Sequence, residues 1–140
     1  MPEAVYRRVM FGSAIYDLLF TIPFATPWGF ELIVSALRAL DEWLGLPGVI
    51  GPTDPLHALL ANLMASTVLV WAILRLRLRL TEFGRYDAAI RALFALWICV
   101  AMFNGVSLVL CGLLLLEIVL VVLQLMPIRQ TMVRPAGTAG

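Results

Sequence analysis

Two carboxylates stand where carboxylates are expensive. Asp17 lies nine residues beyond Arg8 and Glu117 nine before Met126, each inside an apolar run. A charged group at a membrane-helix centre costs at least ~2.5 kcal/mol on insertion scales, so an acid at that depth marks a functional site by default. The sequence offers neither one an obvious cation at mid-depth. Three uses follow from that chemistry. The acids can stay protonated and hydrogen-bonded between helices, since burial and mutual repulsion both favour the neutral form. They can bind a cation or the polar group of a ligand. They can also pass protons.

Neighbouring polar residues give the two acids a setting. Ser13, Asp17 and Thr21 recur every four residues, a narrow stripe on one helix face. Glu117 and Gln124, seven apart, share a face, and Asn62 aligns with Ser66. Such stripes are expected to turn away from lipid, where they either line a polar pocket or hold helices together at ~0.6–2 kcal/mol per bond. Tyr16, beside Asp17, offers a ligand a hydroxyl donor or simply an aromatic packing surface. His57 is expected at a membrane interface, as a solvated side chain or a proton-sensing or ligand group. Trp71 and Trp97 read as lipid-facing or packing groups, and Asp87 as the cap of the third span.

Much other chemistry is excluded. All ten basic residues are arginine, so lysine Schiff-base chemistry is absent. One histidine cannot make a multi-histidine metal or haem site. Cys99 and Cys111 form no CxxC pair and read as small buried hydrophobes. No serine elbow, metalloprotease helix, phosphate loop or dinucleotide fingerprint is present. A net charge of +1 gives no reason to expect a nucleic-acid partner. Neither a cofactor nor a metal is predicted.

The elements that must carry these residues follow from composition. The 140-residue chain is 62% hydrophobic, its mean hydropathy is +0.97 and only 14% of it is charged. Soluble chains carry roughly 25% charged residues, so lipid must serve as solvent for most of this surface. The fold class predicted is all-α: a polytopic four-helix membrane bundle with an additional amphipathic interfacial helix on the outer side.

The predicted spans are about 9–25, 56–74, 88–103 and 106–126, within a single transmembrane domain over 1–130; a flexible tail is expected over 131–140. The first run follows Arg7 and Arg8 and could pass for a signal peptide. Asp17 interrupts its core and Pro23 sits three before the only cleavage alanine, so it reads as a retained helix. Residues 28–45 place Phe30, Ile33, Leu37, Leu40 and Leu44 at three- and four-residue spacing, the pattern of a helix lying in the interface or capping the bundle. Thr53-Asp54-Pro55 starts the second span. That span ends in Arg75, Arg77 and Arg79, read as snorkelling side chains, as is Arg91 in the third. From Ala88 to Met126 a single helix would be about twice the bilayer core, so Asn104-Gly105 is predicted to turn it back.

Nine of the ten arginines fall at the N-terminus, between the second and third spans or (Arg91) at the start of the third, or after the fourth; only Arg38 falls in the first-to-second connection. The positive-inside rule then places both termini in the cytoplasm; the lysine-free composition suggests a bacterial genome, and a bacterial inner-membrane protein is expected. The layout resembles the DoxX-like group of small bacterial membrane proteins. The shared features are a long outer connection after the first helix, holding an amphipathic stretch and then a turn like Leu44-Gly45-Leu46-Pro47-Gly48, ahead of the second span. The basic signature of that group's first helix is missing here, and Asp17 occupies that helix instead. The resemblance implies an accessory or redox-associated subunit working beside another enzyme.

The function expected first is therefore non-enzymatic: an accessory or scaffold subunit of a larger membrane assembly, with a membrane-protein partner or further copies of itself. The alternative is a binding protein or enzyme for a small hydrophobic molecule, a quinone or lipid, anchored by Asp17 and Glu117. A third is ion or proton transport by an oligomer. Geometry discriminates: two acids on one cavity favour the second reading.

Overall fold

The computed structural model describes residues 1–78 and 80–127; the tail predicted at 131–140 lies outside them, as do Arg79, Arg129 and Arg134. Among the described residues all regular structure is helical. The α-helices are α1 (Glu3–Thr21), α2 (Pro27–Leu44), α3 (Pro55–Leu78), α4 (Phe83–Phe103) and α5 (Cys111–Leu125). Short 3-10 turns at Ile22–Ala25 and Leu108–Leu110 extend α1 and precede α5. Four segments are long and apolar enough to cross a membrane: Glu3–Ala25, Pro55–Leu78, Phe83–Phe103 and Leu108–Leu125. The chain is thus a multi-pass membrane protein, with large apolar side chains such as Leu19, Leu63, Val70 and Leu115 covering its exterior.

The boundaries have local causes. Pro23 falls in the 3-10 turn that ends the first span, and Pro27 opens α2, where a missing N–H costs nothing. The Thr26 hydroxyl caps α2 by accepting from the Gly29 amide at 3.3 Å. Gly45 ends α2 in the left-handed conformation, φ +59°. Asp54 accepts the His57 amide at 2.9 Å, so the predicted start of the second span is present. Gly105, at φ +92°, makes the predicted turn between α4 and α5.

The packed pairs are α1 with α3 and α5, and α4 with α5, while α2 lies across the 3-10 turn and α3. Among the described residues α3 and α4 are not a closely packed pair. Small residues set the close approaches: Ala14 on α1 and Ala65 and Ala72 on α3 are almost fully buried. Gly84 does the same on α4, where a Cβ would collide with the Tyr6 hydroxyl, and that hydroxyl donates to the Gln124 carbonyl at 3.0 Å.

The two ends of the bundle are tied differently. At one end the Met1 amino group donates to the Pro127 carbonyl at 2.5 Å. At the other, the α2–α3 loop pairs with the α4–α5 turn: the Val49 amide donates to Gly105 and the Leu108 amide to Pro47, both at 3.0 Å. The Ser107 hydroxyl also donates to Asp41, holding α2 over that turn. The predicted amphipathic stripe needs one correction. Phe30 is buried, as is Val34 outside the predicted stripe, and Ile33 and Leu37 are half-buried, whereas Leu40 and Leu44 are exposed, because α2 rests on the 3-10 turn by its first half.

Candidate functional site

Two arginines reverse the reading of an acid pair without a cation. On α3, Ala65, Ala72 and Arg75 share the face that packs on α1, so Arg75 is carried inward and is 4% exposed. On α4, Gly84, Asp87, Ala88 and Arg91 form the buried face. Arg75 and Arg91 therefore do not snorkel; a snorkelling head must reach water, and these two meet carboxylates first. Arg77, on the other face of α3, is exposed. Asp87 is not a cap either: α4 begins at Phe83, five residues before its predicted start at Ala88, which puts Asp87 in its second turn, 2% exposed.

The resulting cluster draws on four helices. Arg91 donates to Asp17 at 2.6 Å, to Glu117 at 2.9 Å and to Asp87 at 3.1 Å. Arg75 donates to Asp87 at 2.5 Å and also to the second oxygen of Asp17. The Gln124 amide donates to the same Asp87 oxygen at 2.6 Å, and the Trp71 indole to the other at 3.0 Å. Ser13 sits at the centre: its hydroxyl donates to Asp87 and accepts from Arg75, Arg91 and Gln124. Buried charges persist only when paired and hydrogen-bonded in this way.

Beyond the cluster, towards α2, the helices part. A cavity of about 440 Å³ is lined by Tyr16, Asp17, Phe20, Thr21, Phe24, Met64, Val68, Phe94, Trp97 and Glu117, among others. It occupies the gap between α3 and α4, and Met64 and Trp97 at its rim are 52% and 63% exposed. It thus opens sideways, to the lipid. A smaller space of about 340 Å³ adjoins it along Asp17, Asp87 and Arg91. Tyr16, Phe20, Phe24 and Phe30 run as a file of rings, 5.5, 5.7 and 6.4 Å apart, from the cluster to α2. The Tyr16 hydroxyl, buried, has no hydrogen-bond partner among the described residues.

Of the predicted residues, Asp17, Glu117, Ser13 and Gln124 enter the cluster, and Tyr16 and Thr21 line the cavity. The Asn62–Ser66 stripe does not: the Asn62 amide donates to the Phe24 carbonyl at 2.7 Å, and Ser66, exposed, donates to the Asn62 carbonyl of its own helix. His57 is exposed and its ring lies 2.9 Å from Asp54, away from the site. Arg75, Asp87, Arg91 and Trp71 were not predicted as site residues. A signal for two of them existed: Asp87 and Arg91 are four apart on the face of Gly84 and Ala88, the spacing of an intrahelical ion pair.

The cluster holds three carboxylates and the donors that fix them, with an apolar chamber and a smaller space beside it. It can hold a polar group at the chamber's inner end while the remainder of a ligand packs against rings and aliphatic side chains. The chain matches no family model, no curated protein and no solved structure.

Proposed function

We propose that this protein binds a small, membrane-dissolved molecule through the cavity between α3 and α4, with the Asp17–Glu117 edge of the charge cluster as its polar anchor. One observation carries the reading: the two mid-membrane acids line the same cavity. A pocket of several hundred Å³, mostly apolar with a few convergent polar groups, is the usual form of a small-molecule site. Its sideways mouth suits a ligand that arrives through the lipid. The partnerless Tyr16 hydroxyl supplies a donor at the inner end.

An accessory subunit remains the reading that the DoxX-like layout suggests. It draws on the exposed apolar faces, which lipid covers equally well, and it leaves the chamber without a use. For orientation we infer an inner-membrane protein with cytoplasmic termini. Two arginines are withdrawn from the flanks by burial, yet Arg7, Arg8, Arg77 and Arg85 remain exposed near one end against Arg38 at the other. The charge bias therefore survives.

The test is to purify the protein in mild detergent and identify co-purifying molecules by native mass spectrometry, comparing wild type with Ala101→Trp, which fills the cavity wall. A small molecule carried by wild type and lost from Ala101→Trp is the expected result. Wild type free of any small molecule but joined by a stoichiometric protein would sink the pocket reading in favour of the accessory subunit.

A further inference from the structure

Three carboxylates meet two guanidiniums in this cluster, a formal count of one net negative charge when all five groups are ionised. The donors are shared unevenly. Asp87 accepts from Ser13, Arg75, Arg91, Gln124 and Trp71. Asp17 accepts from a guanidinium at each oxygen. Among the described residues, Glu117 accepts from Arg91 alone, at Oε2. The uncompensated charge thus lies closest to Glu117, the acid with the fewest donors, and Glu117 is on the cavity wall.

Among the described residues, the other polar and charged groups near this wall do not cancel it. Both guanidiniums are already engaged, and Arg91 also sits over the Tyr16 ring, 5.8 Å from its centroid. Arg7 and Arg8 line a separate crevice on the far side of Arg75 and are exposed, where water screens them. What the wall does offer is aromatic: Phe20, Phe24, Phe94 and Trp97 surround the chamber. Ring faces attract cations, most strongly when both are out of water.

Building on the pocket reading, we propose that the occupant is an amphiphilic organic cation, with a monovalent ammonium or phosphonium centre near Glu117 and an apolar body against the rings. An anionic head would add a second uncompensated negative charge, and a neutral head would leave the first. A cation closes the count, and its apolar substituents occupy the chamber that the rings enclose. The recognition is by sign of charge and by shape, so the same site would take more than one such cation.

Three nearly isosteric probes separate the terms: tetraphenylphosphonium, neutral tetraphenylsilane and tetraphenylborate. Binding of each is measured to purified protein in zwitterionic micelles, above protein-free micelles, by equilibrium dialysis. The expected result is saturable binding of the phosphonium, about tenfold tighter than either of the others, as a cation–ring and ion-pair difference of ~1.4 kcal/mol implies. Glu117→Gln is expected to remove that preference, bringing the phosphonium's affinity down to that of the silane measured on the same variant. Trp97→Leu, at an exposed rim position that does not touch the cluster, is expected to weaken the phosphonium about threefold or more; it serves as the readout if Glu117→Gln does not fold. If the silane or the borate binds as tightly as the phosphonium, the cation assignment is overturned and the pocket reading stands. If none of the three binds saturably, both fall.

Discussion

The charge cluster and the α2 end of the molecule use the same kinds of polar group under opposite conditions. In the cluster, Ser13, Asp17, Arg75, Asp87, Arg91, Glu117 and Gln124 are each at most 9% exposed, and their bonds join side chains from four helices. At the α2 end, Arg38 donates to the carbonyls of Ile50 and Gly51, and backbone pairs tie one loop to another, close to the surface. Away from water a lone charge or donor has no alternative partner. A cluster group that loses its partner therefore finds no replacement, whereas the α2 end can lose a bond to solvent with little penalty.

The sharpest way to break that comparison is Asp87→Leu. It leaves Arg75 and Arg91 short of their most connected acceptor, and removing one partner of a buried ion pair costs about 3–5 kcal/mol. Reversible unfolding in mixed micelles should show a loss of that size. A loss below about 1 kcal/mol would mean that water enters the cluster and that the two regions are not different in kind.

Arg38→Ala supplies the contrast. Two bonds to main-chain carbonyls are lost, one of them exposed, and the liberated carbonyls can turn to water. The expected cost is about 0.5–1 kcal/mol in the same assay. A cost equal to that of Asp87→Leu would place the α2 end under the same dry conditions as the cluster.

The smallest effect is expected at Asp54, in the loop before α3. The His57 amide, with its ring nearby, holds the Asp54 carboxyl below the usual range of aspartate. A carboxyl lowered on folding stabilises the fold above its unfolded pKa, about 4, and the contribution fades as pH falls through its folded value. Wild type should therefore lose slightly more stability than Asp54→Asn below about pH 4. Parallel pH profiles for the two would show that this cap contributes nothing as a charge.

Several elements were legible because each depends on a short stretch of chain. The turn at Asn104-Gly105 follows from a run too long for one membrane crossing, and Gly105 does take the left-handed backbone there. The capped start at Asp54-Pro55 is likewise local. Within the site, the inward turn of Ser13, Asp17, Glu117 and Gln124 was readable because a polar stripe on an apolar helix has only one place to go. Asn62 and Ser66 obeyed a different local rule, bonding to carbonyls within reach instead of joining the cluster.

By itself, then, the sequence determined an all-α chain with four helices able to cross a membrane, an amphipathic helix between the first two, and acids within the spans. Hydropathy, proline, glycine and capping residues act over a turn or two, so they can be read in order along the chain. The tertiary structure alone decided that Arg75 and Arg91 are ligands of those acids and not anchors at the lipid surface. An arginine near a helix end can face either way, and its direction depends on how the helix is rotated. That rotation is set by Ala65, Ala72, Gly84 and Ala88, whose small side chains turn the arginine-bearing faces of α3 and α4 inward. Only with the helices so rotated does the space between α3 and α4 become a chamber with charge at one end.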